Sequence, residues 1–274
     1  RKYMTAAALE PTDTGLLQVN VVSAENNFPI RDAEVSIAYK GDPESTVEST
    51  NTNSSGQTGE IRLAAPPLEY SLSPGLTQPY SEYTITIRAR GFAEVAISGT
   101  EILPDSLAIQ PVRMTPLADE VSPDTPIVIP DHTLYGYYPP KIAEAEVKPV
   151  AETGEIVLSR VVVPQTVVVH DGVPTDSTAP NYYVPYRDYI KNVASSEIYA
   201  TWPANTIRAN VLAIMSFTLN RVYTEWYRNK GYDFTITSST AFDHKWIPER
   251  NVYDTISAVV DEIFANYLSR PNVR

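Results

Sequence analysis

Tyr189-Ile-Lys-Asn-Val-Ala-Ser-Ser-Glu197, followed after a short break by Trp202-Pro203 and an apolar-striped run to Arg228, is the stretch on which the reading of this chain turns. At about 100° per residue, Ile190, Val193 and Ala194 share a helical face with Glu197, so a carboxylate ends an otherwise apolar stripe. Burial at such a position disfavours the ionised form, the usual condition for a carboxyl group that donates and then recovers a proton. The position equally fits an ordinary half-exposed glutamate in the last turn of a helix, bent toward water.

Around this stretch the period is helical. A first helix is expected from near Pro185 or Asp188 to about Ile198. A second is expected to start at Pro203 and to carry Ile207, Val211, Met215, Leu219 and Trp226 on its stripe before stopping at Gly231. Residues 232–237 alternate as a strand, residues 238–251 read as a loop holding Asp243, His244 and Trp246, and a last helix is expected over about 252–268.

Upstream, the pattern is different. From 15 to 117 apolar residues alternate with polar ones: Leu17, Val19 and Val21, then Val35 and Ile37, then Ile85 and Ile87, with Asn26-Asn27, Gly41-Asp42-Pro43 and the polar loop 54–59 as turns. No helical period separates these runs, so a sandwich is favoured over a βαβ unit. Residues 118–180 hold nine prolines between β-branched apolar runs such as Ile127-Val-Ile129 and Val161-Val-Val163. These are too apolar for a solvated linker and too rich in proline for central strands, so an extended strap packed on another surface is expected. The chain therefore reads as multidomain: an N-terminal arm (1–14), an all-β sandwich (15–117), a proline-rich extended strap (118–180) and an α+β, mostly helical domain (181–274).

A formal net charge of -12 disfavours nucleic acid and anionic membrane surfaces as partners, because both bind through clustered Lys and Arg. No cysteine and three scattered histidines leave no disulfide or thiolate metal site, and neither metal nor cofactor is expected. No apolar run is long enough to span a bilayer. The strap or the sandwich offers a surface for homo-oligomer formation. Arg1 is not an initiator residue, so the chain is expected to be processed, trimmed or incomplete.

The order of strand-like segments from Leu17 through Pro29–Ile37 and Thr52–Gly59 to Tyr83–Phe92 resembles the transthyretin-like, carboxypeptidase-regulatory-like sandwich. That resemblance implies a spacer or adhesive module. Residues 189–213 look like the start of the stage II sporulation protein D domain, also called the amidase-enhancer or LytB-type domain: a Val-x-x-x-Glu helix, then a proline-led helix with Arg208-Ala-Asn-Val211 where the family carries Lys-Ala-Gln-Ala. The likeness covers roughly residues 181–270. It implies a lytic transglycosylase acting on peptidoglycan glycan strands, with Glu197 as acid/base and Arg208, Asp243, His244 and Trp246 at the substrate, in a protein that is secreted (extracellular), on the cell surface or in the spore envelope of a bacterium. Three departures accompany it: Met215-Ser-Phe217 replaces an Arg-Thr-Tyr element, His244 stands where glutamine is expected, and the family's Gly-rich C-terminal half does not occur before Arg274. A non-catalytic structural or adhesive subunit of a surface, spore or filamentous assembly is the alternative.

Overall fold

The computed structural model describes residues 13–117, 126–142 and 158–269. In chain order its elements are β1 (Asp13–Ser23), β2 (Glu34–Tyr39), β3 (Asp42–Asn51), β4 (Ile61–Ala65), β5 (Ser81–Arg88), β6 (Val95–Ile102), β7 (Leu107–Met114), β8 (Ile127–Val128), β9 (Thr166–His170), β10 (Asn181–Pro185), α1 (Tyr186–Glu197), α2 (Ala204–Tyr223), β11 (Ile236–Thr237), β12 (Val252–Tyr253) and α3 (Asp254–Ile263). They fall into two compact units. The first takes in the chain up to Tyr135 together with Tyr199–Trp202 and Pro248–Thr255, and the second takes in the rest.

The first unit is a β-sandwich with sheet orders β12-β7-β1-β4 and β3-β2-β5-β6-β8. The alternation in the sequence is what builds it, since successive side chains of a strand point to opposite faces. Leu17, Val19, Val21, Val35, Ile37, Ile85 and Ile87 are all fully buried. Register sets Val35 opposite Ile87 and Ile37 opposite Ile85, and each such side chain contributes roughly 1.5–3 kcal/mol by leaving water. At the outer edge, β3 is exposed along nearly its whole length and carries Asp42, Glu44 and Glu48, charges that discourage another chain from pairing there. Between Tyr83 and Thr84 the β5–β6 ladder slips, and the extra residue opposite the slip is Gly99. Its φ is 100°, and a Cβ there would meet the Ile129 carbonyl oxygen at 2.5 Å, so a side chain is excluded both conformationally and sterically.

Beyond β7 the sheet is completed by β12, where Val252 pairs with Ile109 and Tyr253 with Ala108. The helix expected from 252 therefore begins at Asp254, since the two preceding residues are held as strand. Just before β12, Arg250 is buried against Glu101, with Nη2 and Nη1 at 2.5 and 3.3 Å from its carboxylate oxygens. Asn251 accepts the Glu101 N–H and donates to the Glu101 carbonyl, and the Tyr253 hydroxyl donates to that same carbonyl. Burial pushes the Glu101 carboxyl up to about 7, against the attraction of Arg250.

The proline-rich segment is shared between the units. Ile127–Val128 pairs in parallel with β6 and Ile129 is fully buried, while Val161 and Val163 are half-buried around an exposed Val162. Residues 118–125 and 143–157 of the expected strap, and most of the expected N-terminal arm, lie outside the described residues.

In the second unit β9 pairs antiparallel with β10 and parallel with β11. The strand expected over 232–237 is reduced to Ile236–Thr237, because Tyr232 and Phe234 turn into an aromatic cluster with Tyr227, ring centroids 4.9–6.1 Å apart. Helix α1 is flanked by Pro185 and α2 by Pro203, whose fixed φ and missing N–H suit the start of a helix. Ile190, Val193 and Ala194 bury the stripe read from the sequence, and Ile207, Val211, Met215 and Leu219 do so for α2. Helix α2 ends at Tyr223, eight residues before Gly231, which closes only a later 3-10 turn, Arg228–Lys230.

Candidate functional site

Glu197 is the last residue of α1, and the loop after β11 folds onto its carboxylate. Oε1 accepts the Lys245 backbone N–H at 2.7 Å, and Oε2 lies 3.1 Å from His244 Nδ1. The loop is held in place from the same helix: Asn192 donates to the Ile247 carbonyl at 2.7 Å and accepts the Ile247 N–H at 3.0 Å. Two residues of α1, five apart, thus clamp the loop at His244, Lys245 and Ile247. The Glu197 side chain keeps 22% of its exposure and that of His244 12%, so the carboxylate sits at the rim of the stripe rather than within it. His244 Nε2 is buried without a hydrogen-bond partner, and the Phe217 ring meets the imidazole edge to face at 4.6 Å. An imidazole nitrogen and a carboxylate oxygen at this distance can hold one proton between them, and that proton can pass to a group placed on the open side of Glu197.

The other expected substrate residues are differently placed. Asp243 is buried and accepts four hydrogen bonds, from Arg221 Nε at 2.7 Å, the Tyr227 hydroxyl at 2.6 Å, the Thr237 N–H at 2.9 Å and the Thr237 hydroxyl at 2.7 Å. Its lone pairs are taken up by the protein, so it supports the loop rather than facing a ligand. Trp246 is 6% exposed and packs against Tyr182 with ring centroids 5.0 Å apart, which leaves it no open stacking face. Arg208 is at the surface of α2, 2.6 Å from Glu262 of α3, and makes no contact with Glu197. Of the residues singled out in the sequence, the structure therefore brings Glu197 and His244 together, with Asp243 supporting their loop from beneath.

Residues the sequence reading passed over complete the surroundings. Arg221 is buried beneath the loop, bonded to Asp243 and the Phe242 carbonyl, with its guanidinium 4.5 Å from the centroids of both Phe217 and Trp226. The signal was present: an arginine beside Leu219 and Val222 interrupts the apolar stripe of α2. Burial and the nearby carboxylates of Asp243 and Glu197 raise the Tyr189 hydroxyl well above its ordinary range, and burial lowers the Lys245 ammonium. Among the described residues no cluster of His, Asp or Glu is arranged to hold a metal ion, and no helix is long and apolar enough to cross a membrane.

No family model and no curated protein matches the chain. Solved structures do. A 5-hydroxyisourate hydrolase of Klebsiella pneumoniae matches with 18% identity and a TM-score of 0.26, covering 38% of this chain and 92% of its own. The minor pilin of Streptococcus agalactiae matches with 13% identity and a TM-score of 0.28, covering 41% of this chain and 49% of the pilin. Catechol 1,2-dioxygenase from an Acinetobacter species matches with 16% identity and a TM-score of 0.29, covering 44% of this chain and 60% of the enzyme. The chain thus spans less than two thirds of the pilin and of the dioxygenase.

Proposed function

We propose that this is a bacterial surface or spore-envelope protein directed at peptidoglycan, in which the second unit cleaves glycan strands as a lytic transglycosylase with Glu197 as its acid/base. The observation that carries the proposal is the pairing of Glu197 with His244 and the Lys245 N–H, which orients a partly exposed carboxylate next to a group that can share its proton. Protonated Glu197 gives its proton to the glycosidic oxygen and the C–O bond breaks. A hydroxyl of the same sugar then closes on the anomeric carbon and returns its proton to Glu197, so an intramolecular ether forms and no water is consumed. One carboxyl group is sufficient for this sequence, whereas hydrolysis with the usual geometry requires two. The sandwich is the spacer or adhesive module of this reading.

The burial of Asp243 and Trp246 favours a second reading, a non-catalytic structural or adhesive subunit in which Glu197 only fastens the loop. The two separate in one assay on purified cell wall. Glu197→Gln preserves shape and removes the titrating proton, so on the catalytic reading release of muropeptides with an internal ether falls by ~10²–10⁴-fold while the helical circular dichroism is unchanged. An inactive wild-type chain that still sediments with wall, as does the variant, establishes the structural reading instead.

A further inference from the structure

We propose that a cavity beside the C-terminal end of α2 binds the head group of an α-amino acid, an ammonium and a carboxylate carried on one carbon. The cavity has a volume of about 180 Å³. That is below the ~300–1,000 Å³ of the pockets that usually take drug-sized ligands. Its walls include Pro164, Val222 and Phe234, and its charges come from Arg221, Glu225 and Arg228. Arg221 is committed to Asp243 and the Phe242 carbonyl. Glu225 and Arg228 make only a loose i,i+3 ion pair with each other: Glu225 Oε2 lies 3.7 Å from Arg228 Nε, beyond hydrogen-bond distance, the two side chains are 23% and 53% exposed, and the Glu225 carboxylate meets no hydrogen-bond donor among the described residues. Opposite charges left slightly apart in the lining of a small, partly apolar cavity suit a ligand that presents the reverse pair.

The backbone at Glu225 points the same way. The Glu225 N–H donates to the Val222 carbonyl and the Trp226 N–H to the Arg221 carbonyl, both at 3.2 Å, which is the Schellman ending of a helix. Its left-handed position, φ 48°, is one that glycine fills without strain, and a carboxylate at a helix C-terminus also opposes the helix dipole. Glutamate suits the helix ending poorly on both counts, and the carboxylate it brings there lines the cavity. Charges this close select an amino acid over a peptide read at its two ends, since each further residue adds up to ~3.8 Å between the termini. The same head group occurs on a free amino acid and at the free end of a diamino acid built into a peptide.

The test is a calorimetric titration of the full chain with alanine, alaninamide and N-acetylalanine. Alanine binds, and the two analogues, each lacking one charge, bind at least about tenfold more weakly. Glu225→Gln and Arg228→Gln each weaken alanine by a similar factor, and Glu225→Gly abolishes binding while raising the melting temperature. Glu197→Gln binds alanine like the unaltered chain, so this site stands or falls apart from the catalytic proposal. Diaminopimelate acylated on one amino group identifies the source: affinity equal to that of alanine means a peptide-borne head group enters, and loss of affinity means a free amino acid is the ligand. No saturable binding of alanine, or equal binding of all three probes, overturns the proposal.

Discussion

At the scale of single residues, the second unit shows how a carboxylate acquires its role from the donors that converge on it. Asp243 and Glu197 are both acidic, both in contact with one loop, and differently employed: Asp243 accepts four hydrogen bonds in the interior, whereas Glu197 accepts one N–H, meets His244 and keeps part of its surface open. Asp243→Asn leaves the buried Arg221 guanidinium facing a neutral amide, whose NH₂ also points donors at the donors of Thr237 and Tyr227. Removing one partner of a buried ion pair typically costs about 3–5 kcal/mol, and a loss of that size is expected in urea unfolding of this variant. A change below 1 kcal/mol would mean that Asp243 is not the hub of this network.

At the scale of elements, short segments are held by polar contacts more than by their own length. β12 is two residues long, far too short to pair stably by itself, and it is fixed by the Glu101–Arg250 pair and by Asn251 beside it. Arg250→Met should therefore destabilise the first unit by about 3–5 kcal/mol at neutral pH, because Glu101 is left buried without its cation. The deficit should shrink as the pH is lowered. Burial holds the folded Glu101 pKa above its unfolded value, so the folded state takes up the proton first, and loss of Arg250 strengthens that preference. Urea unfolding of wild type and variant at pH 5 and pH 8 measures the difference, and an equal deficit at both would remove Glu101 from the account.

At the scale of the whole molecule, the common feature of both units is buried tyrosine. Tyr80, Tyr83 and Tyr253 in the first unit and Tyr186, Tyr189 and Tyr227 in the second all have hydroxyls raised above their ordinary range, chiefly by burial. For such groups the unfolded state releases its protons first as pH rises past about 10, so the stability they contribute is complete below that pH and declines above it. Alkaline titration should show the tyrosinate absorbance of these six appearing together with the loss of near-ultraviolet dichroism. Smooth ionisation of all 18 tyrosines in a chain that stays folded would contradict the burial of these hydroxyls.

What the sequence determined by itself is what local period determines. Alternation at Val19, Val35, Ile37, Ile85 and Ile87 fixed the faces of the sandwich strands, and the stripe through Ile190, Val193 and Ala194 fixed the buried side of α1, because each depends only on neighbours within a few residues. The ends of elements were read less well: Gly231 looked like the stop of α2, yet the helix ends with Glu225 in the left-handed position, and β12 takes the first two residues of the helix expected over about 252–268. The candidate site was legible as residue types and not as an arrangement. His244 meets Glu197 across 47 positions and Arg250 meets Glu101 across 149, and no local pattern encodes which of two buried carboxylates an arginine will find. Tertiary structure alone decided those pairings, because the cost of burying a charge is offset only where the fold brings its partners within hydrogen-bond distance.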